Sequence, residues 1–130
     1  MRNPFTGPRA GILGGLVLAA AVIAAPVVSA HHGWGGYLDK QFDLTGTVET
    51  PVSLAGPHAT MRMKANGQVW DVVLAPSART ERAGLKEGVI PVGAQVTASG
   101  HRHRDSNKLE IKTERLTWNG RVFNVYPDRD

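Results

Sequence analysis

Cysteine is absent from the 130 residues. Its absence excludes disulfides, thiolate metal sites, c-type haem attachment and a lipid anchor on cysteine. No formal charge falls from Ala10 to Leu38, and no paired arginines mark the twin-arginine export route. Neither an internal repeat nor a low-complexity tract is present. A domain of this size without cross-links relies on packing alone, which favours a closed, compact architecture.

The charge-free stretch has the make-up of a secretory signal. Arg2 and Arg9 form a positive start, Ile12 to Ala25 an apolar middle, and Val28-Ser29-Ala30 a small-residue cleavage site. A membrane span needs roughly 20 apolar residues. Here Gly14-Gly15 and Pro26 interrupt the run, and no basic cluster follows it as a stop. The expectation is therefore a cleaved signal over residues 1–30, with localisation to the periplasm or the extracellular space. Membrane contact is then limited to the uncleaved signal.

The expected mature chain of about 100 residues forms one domain with one modest core. The full chain has a formal charge of +4. Without Arg2 and Arg9, thirteen basic residues face eleven acidic ones, so the pI near 9.9 overstates how basic the folded part is. Nucleic acid as a partner loses its electrostatic basis.

Residues 31–40 open on a glycine-rich stretch without periodicity and are expected to form an irregular arm. From Gln41 the pattern alternates, with Phe42, Leu44 and Val48 on one face and Gly46 permitting a bend or bulge. Pro51 to Pro57 reads as a loop. A second strand points Ala59, Met61 and Met63 inward, and Asn66-Gly67 sets a type I′ hairpin to a third with Trp70, Val72 and Leu74 inward. Ser77 is the expected N-cap of a short helix over Ala78 to Ala83, closed by Gly84-Leu85. A fourth strand carries Ala94, Val96 and Ala98 inward. A fifth contains Leu109 and Ile111, slips phase near Thr113 to Arg115 and continues to Trp118. Asn119-Gly120 turns into a last strand, Val122 to Tyr126.

Three strands, a short helix and two further strands follow the order of the OB-fold, a small Greek-key barrel whose loops after strands one and four flank a ligand face. The fold expected for 41–130 is all-β with small α content, an OB-like barrel of five to six strands. An SH3-like or other small barrel is the alternative. The mature stretch resembles the domain-of-unknown-function 6152 family of small secreted bacterial proteins. The resemblance rests on His31-His32-Gly33-Trp34, Leu44 to Val48, Pro57-His58-Ala59, Trp70 to Pro76, Arg82 to Leu85 and Tyr126 to Arg129. Gly56 departs from it, because members often carry Asn before Pro-His. The resemblance implies an exported single domain and assigns no activity.

All five histidines lie in the expected mature chain. Cleavage after Ala30 frees an α-amine on His31, and an amine with imidazole nitrogens suits Cu(II), Ni(II) or Zn(II) over Mg or Ca. His32 stands where its imidazole, that amine and the intervening amide nitrogen can grip Cu(II). His58, at the end of the first loop, and His101 or His103, before the second, are candidates to complete the site. Positions 101 and 103 point to one side, continuing Gln95, Thr97 and Ser99 away from the core. The candidate ligands are thus His31, His32, His58, His101 and His103, with copper or zinc as the cofactor. The competing reading is a solvated, mildly basic strand end at His101 to Arg104, whose arginines repel a cation.

No catalytic constellation is singled out: the serines lie in ordinary loop, cap or strand contexts, and Glu49, Glu110 and Glu114 show no acid–base spacing. Trp34, Tyr37 and Trp118 offer either stacking on a sugar or peptide, or cover for the open end of the barrel, each aromatic burying about 150–250 Å². The sequence therefore points to a non-catalytic binding or accessory module for a small ligand, including a metal. The alternative is an envelope protein-interaction module using the face of Thr60, Arg62 and Lys64.

Overall fold

A computed structural model describes residues 33–129, together with Gly11, Gly14 and Gly15. The expected signal segment and the pair His31-His32 lie outside the described residues. Among the described residues, no helix is long and apolar enough to cross a membrane. The elements are β1 (Tyr37–Ser53), β2 (His58–Ala65), β3 (Gln68–Pro76), α1 (Ser77–Arg82), β4 (Gln95–His103), β5 (Glu110–Trp118) and β6 (Arg121–Asn124), followed by a 3₁₀ turn at Pro127–Arg129. The chain is mostly β-sheet with one short helix.

The strands lie in the order β3-β2-β1-β4-β5-β6, and β3 also pairs with β5. That extra pairing is parallel, with Val72 opposite Ile111 and Val73 opposite Lys112; the other five pairings are antiparallel. β1 serves two neighbours, its first half pairing with β4 and its second with β2, both at Thr47. Gly46 sits at this handover. A Cβ there would fall on the Lys64 carbonyl, so the crossing needs a residue without a side chain.

Strict alternation holds in β2, where Ala59, Met61, Met63 and Ala65 are buried. These residues join Leu44, Val48, Val52, Val72, Leu74, Val96, Ile111, Leu116 and Phe123 in one apolar core. Both Asn-Gly pairs form two-residue turns with positive φ at each position: 52° and 75° at Asn66-Gly67, 50° and 74° at Asn119-Gly120. These values fit type I′ geometry, which matches strand twist. α1 ends in paired bonds, Gly84 N–H to the Glu81 carbonyl and Leu85 N–H to the Thr80 carbonyl, with Leu85 fully buried. That is the Schellman arrangement with its hydrophobic contact.

Several boundaries differ from the sequence reading. The arm is shorter than residues 31–40, because Tyr37 already pairs with His103 and opens β1. Pro51 to Ser53 belong to β1 rather than to a loop, since register irregularities between Thr50 and Ser53 accommodate the missing N–H of Pro51. Ser77 is the first helical residue, not the cap; Pro76 precedes it, and the Ser77 hydroxyl donates to the Gly56 carbonyl. β6 stops at Asn124 because the N–H groups of Val125 and Tyr126 both turn to the Glu114 carbonyl.

Candidate functional site

The face of β4 and β5 turned away from the core is where the chain departs from a simple sheet. Thr113 pairs with Gly100 and Arg115 with Ser99, so the ladder skips Glu114, a β-bulge at the position where the sequence pattern slips phase. The bulge frees the Glu114 carbonyl to hold Val125 and Tyr126, which brings the C-terminal turn over this face. From the other end of the chain, Gly33 to Tyr37 covers the same surface.

Trp34 is the centre of this outer layer. Its ring meets His101 edge-on at 5.5 Å and Tyr126 at 5.2 Å. The Arg129 guanidinium lies 3.9 Å from its centroid and the Lys112 ammonium 5.2 Å. An electron-rich indole face attracts cations, and more strongly where water is displaced. Tyr37 donates to Glu110 at 2.7 Å. Burial first, and this bond second, hold the Tyr37 hydroxyl well above its ordinary pKa. Trp118 has a different place, half-buried against the core.

His101 lies on the side turned away from the core, as expected, but this layer covers it. His101 follows Gln95, Thr97 and Ser99, yet only 8% of it is exposed, because the arm and the C-terminal turn cover it. Its Nδ1 lies 2.7 Å from the Leu38 carbonyl, and its Nε2 lies 2.6 Å from Glu114 Oε1. A carbonyl only accepts, so Nδ1 carries a proton and Nε2 shares another with the carboxylate. Both nitrogens are committed, which leaves none for a metal in this arrangement. Arg129 Nε lies 3.5 Å from Glu114 Oε1 and Arg115 NH1 3.6 Å from Oε2, so cations surround a carboxylate that is 1% exposed.

His58 is placed differently. It opens β2 and lines a cavity of about 490 Å³ with Gly33, Pro76, Ala78, Arg79, Arg82 and Tyr126. Burial first and nearby Lys112 second lower its pKa, which keeps the imidazole neutral at neutral pH. Lys112 is itself 3% exposed; burial lowers its pKa, Arg129 adds to the shift and Glu110 opposes it. Tyr126 is raised by burial, against the opposing pull of Arg79 and Arg129. Arg79 stacks over the Tyr126 ring at 5.4 Å. Among the described residues, no acidic side chain lines this cavity.

His103 sits apart from His58. Its Nδ1 accepts from the Asp105 N–H at 3.0 Å, its Nε2 is 4.0 Å from Glu110, and its ring meets Tyr37 edge-on. Among the described residues, no three His, Cys, Asp or Glu side chains gather into a metal cluster. The five candidate histidines thus divide. His101 is a buried structural partner, His103 packs on Tyr37, and His58 faces a cavity. His31 and His32 lie outside the described residues, two positions and one position before Gly33. Sequence reasoning missed Glu114, Lys112, Arg79 and Arg129. The phase slip at Thr113 to Arg115 was the signal available for Glu114; the others look like ordinary surface charge until the chain ends fold over.

The fold and site define a small, mostly β domain whose two chain ends close over one sheet face beside a cationic cavity. The chain belongs to a family of unknown function, DUF6152, whose model matches residues 17–112. No curated protein matches the sequence. Solved structures with a similar backbone include apo TiaS, a tRNAIle2 agmatidine synthetase, at 15% identity and a TM-score of 0.47, covering 61% of this chain and 18% of that one. The ZRD-deleted mutant of TiaS in complex with agmatine gives 13% identity and a TM-score of 0.49, with 66% and 26% covered. The chain spans about a fifth to a quarter of those proteins' length. Similarity of this degree assigns no activity to this chain.

Proposed function

We propose that this protein is an exported OB-like barrel that works as a binding module rather than a catalyst, taking a small ligand where the N-terminal arm meets His58. Supporting the barrel reading, β1, β2, β3, β5 and β4 each pair with two of the others, and α1 lies between β3 and β4. The signal-like composition of residues 1–30 supports export. The observation that carries the site is the 490 Å³ cavity shared by Gly33 and His58, a volume within the range of small-molecule sites. Ligand screening by NMR tests it: binders should shift Gly33, His58 and Tyr126. Binders confined to the separate hollow around Thr50, Arg62 and Asp71 would overturn the assignment.

A second reading keeps the metal. Gly33 lines the cavity, His32 directly precedes it in the sequence, and a neutral His58 is a competent ligand. Copper or zinc would then be held by the freed α-amine with His31, His32 and His58. His101 has no place in that set, and His103 adds nothing to it. Titrating Cu(II) and Zn(II) into cleaved protein tests this reading. Binding no tighter than that of a free histidine peptide, or unchanged in His58→Ala, would remove it. The amino-terminal residue of protein recovered from cells decides whether the amine is available.

A further inference from the structure

We propose that the cavity bordered by His58, Arg79, Arg82 and Tyr126 binds a small soluble molecule carrying a phosphate or carboxylate group. This inference rests on the binding-module reading and names the ligand class for its site.

Three observations carry it. The first is the charge of the lining. Two guanidinium groups and an imidazole border the cavity, and among the described residues no carboxylate does. Arg82 is exposed and makes no ion pair or hydrogen bond with any described residue, and Arg79 engages only the Tyr126 ring through its guanidinium. The planar forks of both arginines are therefore free to donate, and paired donors match the oxygens of a carboxylate or phosphate.

The second is the field behind the cavity. Lys112 and Arg129 stand in the adjoining layer. Arg129 shares Glu114 with His101 and Arg115, and Glu110 offsets part of the Lys112 charge while accepting from the Tyr37 hydroxyl. The excess at the cavity is therefore that of Arg79 and Arg82, which no described carboxylate pairs. Such a concave, one-signed site raises the local concentration of anions and repels cations. Burial first and Lys112 second lower the His58 pKa, so the imidazole adds no positive charge of its own at neutral pH.

The third is contrast within the molecule. The hollow of about 310 Å³ around Thr50, Arg62 and Asp71 also has an arginine on its wall, but Arg62 bonds to Asp71 at 3.0 Å, and Glu110 adds a second carboxylate. Its arginine is already paired, whereas the guanidinium groups beside His58 meet no described carboxylate.

The test uses the chain as recovered from cells, with inorganic phosphate and succinate as probes and Zn(II) as the opposing one. Arg79→Gln with Arg82→Gln is compared with the control Arg62→Gln; Arg62 and Arg82 are exposed, Arg79 is half-buried, and thermal melts confirm folding. The expected result is that phosphate or succinate shifts the signals of His58 and Tyr126. The double variant then weakens that binding at least about tenfold, the control leaves it unchanged, and added salt weakens it. Equal binding by wild type and double variant, or equal weakening by the control, would overturn the proposal. Zn(II) that binds wild type at His58 and binds the double variant more tightly, with neither anion bound, overturns the anion but leaves a binding site. If no probe and no screened molecule moves His58 or Tyr126, the inference and the binding-module reading fall together.

Discussion

Glu114 shows how one residue can be costly and indispensable at once. A carboxylate removed from water is tolerated only when its oxygens find cations or donors, and here His101, Arg115 and Arg129 supply them. Glu114→Gln keeps the shape and removes the charge, which leaves Arg129 and His101 facing a neutral amide. We expect a loss of about 3–5 kcal/mol, the range for breaking one side of a buried pair, read from urea denaturation midpoints. A loss below about 1 kcal/mol, the scale of exposed pairs, would show that water reaches the carboxylate. His58 gives a second prediction at this scale. Its folded pKa is lowered, so the unfolded chain binds the proton more readily. Its contribution to stability is therefore complete above the ordinary imidazole value and is lost as pH falls through the lowered one. Denaturation between pH 7.5 and 5 should show less acid sensitivity in His58→Asn than in wild type; identical pH slopes would discard the effect.

At the scale of elements, β4 and β5 approach so closely that only glycine fits between them. A Cβ on Gly100 would land on the Lys112 carbonyl, backbone that cannot swing aside as a side chain would. Gly100→Ala should therefore cost at least the ~3 kcal/mol at the upper end of core overpacking, and it should loosen the adjacent Glu114 bulge. Backbone amide exchange across Ser99 to Lys112 would report both effects, and unchanged exchange would refute them. This pairing also shows what the sequence made legible. The alternation in β2, the two Asn-Gly turns and the Gly84-Leu85 helix end are local patterns, and each stands as read. The slip at Thr113 to Arg115 was visible as a break in period, but its consequence was not. A buried His101 follows from two chain ends meeting over β4 and β5, contacts separated by tens of residues that no local period encodes. Arg79 and Arg82 likewise look like the solvated side of a short helix until Gly33 and Tyr126 complete the cavity around them.

For the whole molecule, the question is whether the outer layer is decoration or part of the folded unit. The core beneath it is self-contained in aliphatic residues, yet the layer is tied to it at several points. The Leu38 carbonyl holds His101, the Glu114 carbonyl holds Val125 and Tyr126, and the Arg104 backbone N–H and side chain both donate to the arm, at Gly36 and Gly35. Trp34 joins the two ends, touching His101 from β4, Tyr126 and Arg129 from the C-terminal turn, and Lys112 from β5. Truncating a fully buried Trp costs about 3–5 kcal/mol; Trp34 is half-buried, so Trp34→Ala should cost ~2 kcal/mol on that scale. The distribution of the loss matters more than its size. If the layer is one cooperative unit, the variant should raise amide exchange at Leu38, His101 and Tyr126 together, while Met61 and Leu74 in the core stay protected. Exchange confined to Gly33 to Gly36 would make the arm an independent flap, and the cavity at His58 would then keep its C-terminal wall when the arm lifts. Concerted exchange would instead mean that opening the arm dismantles the site, coupling ligand retention to the docking of a single indole.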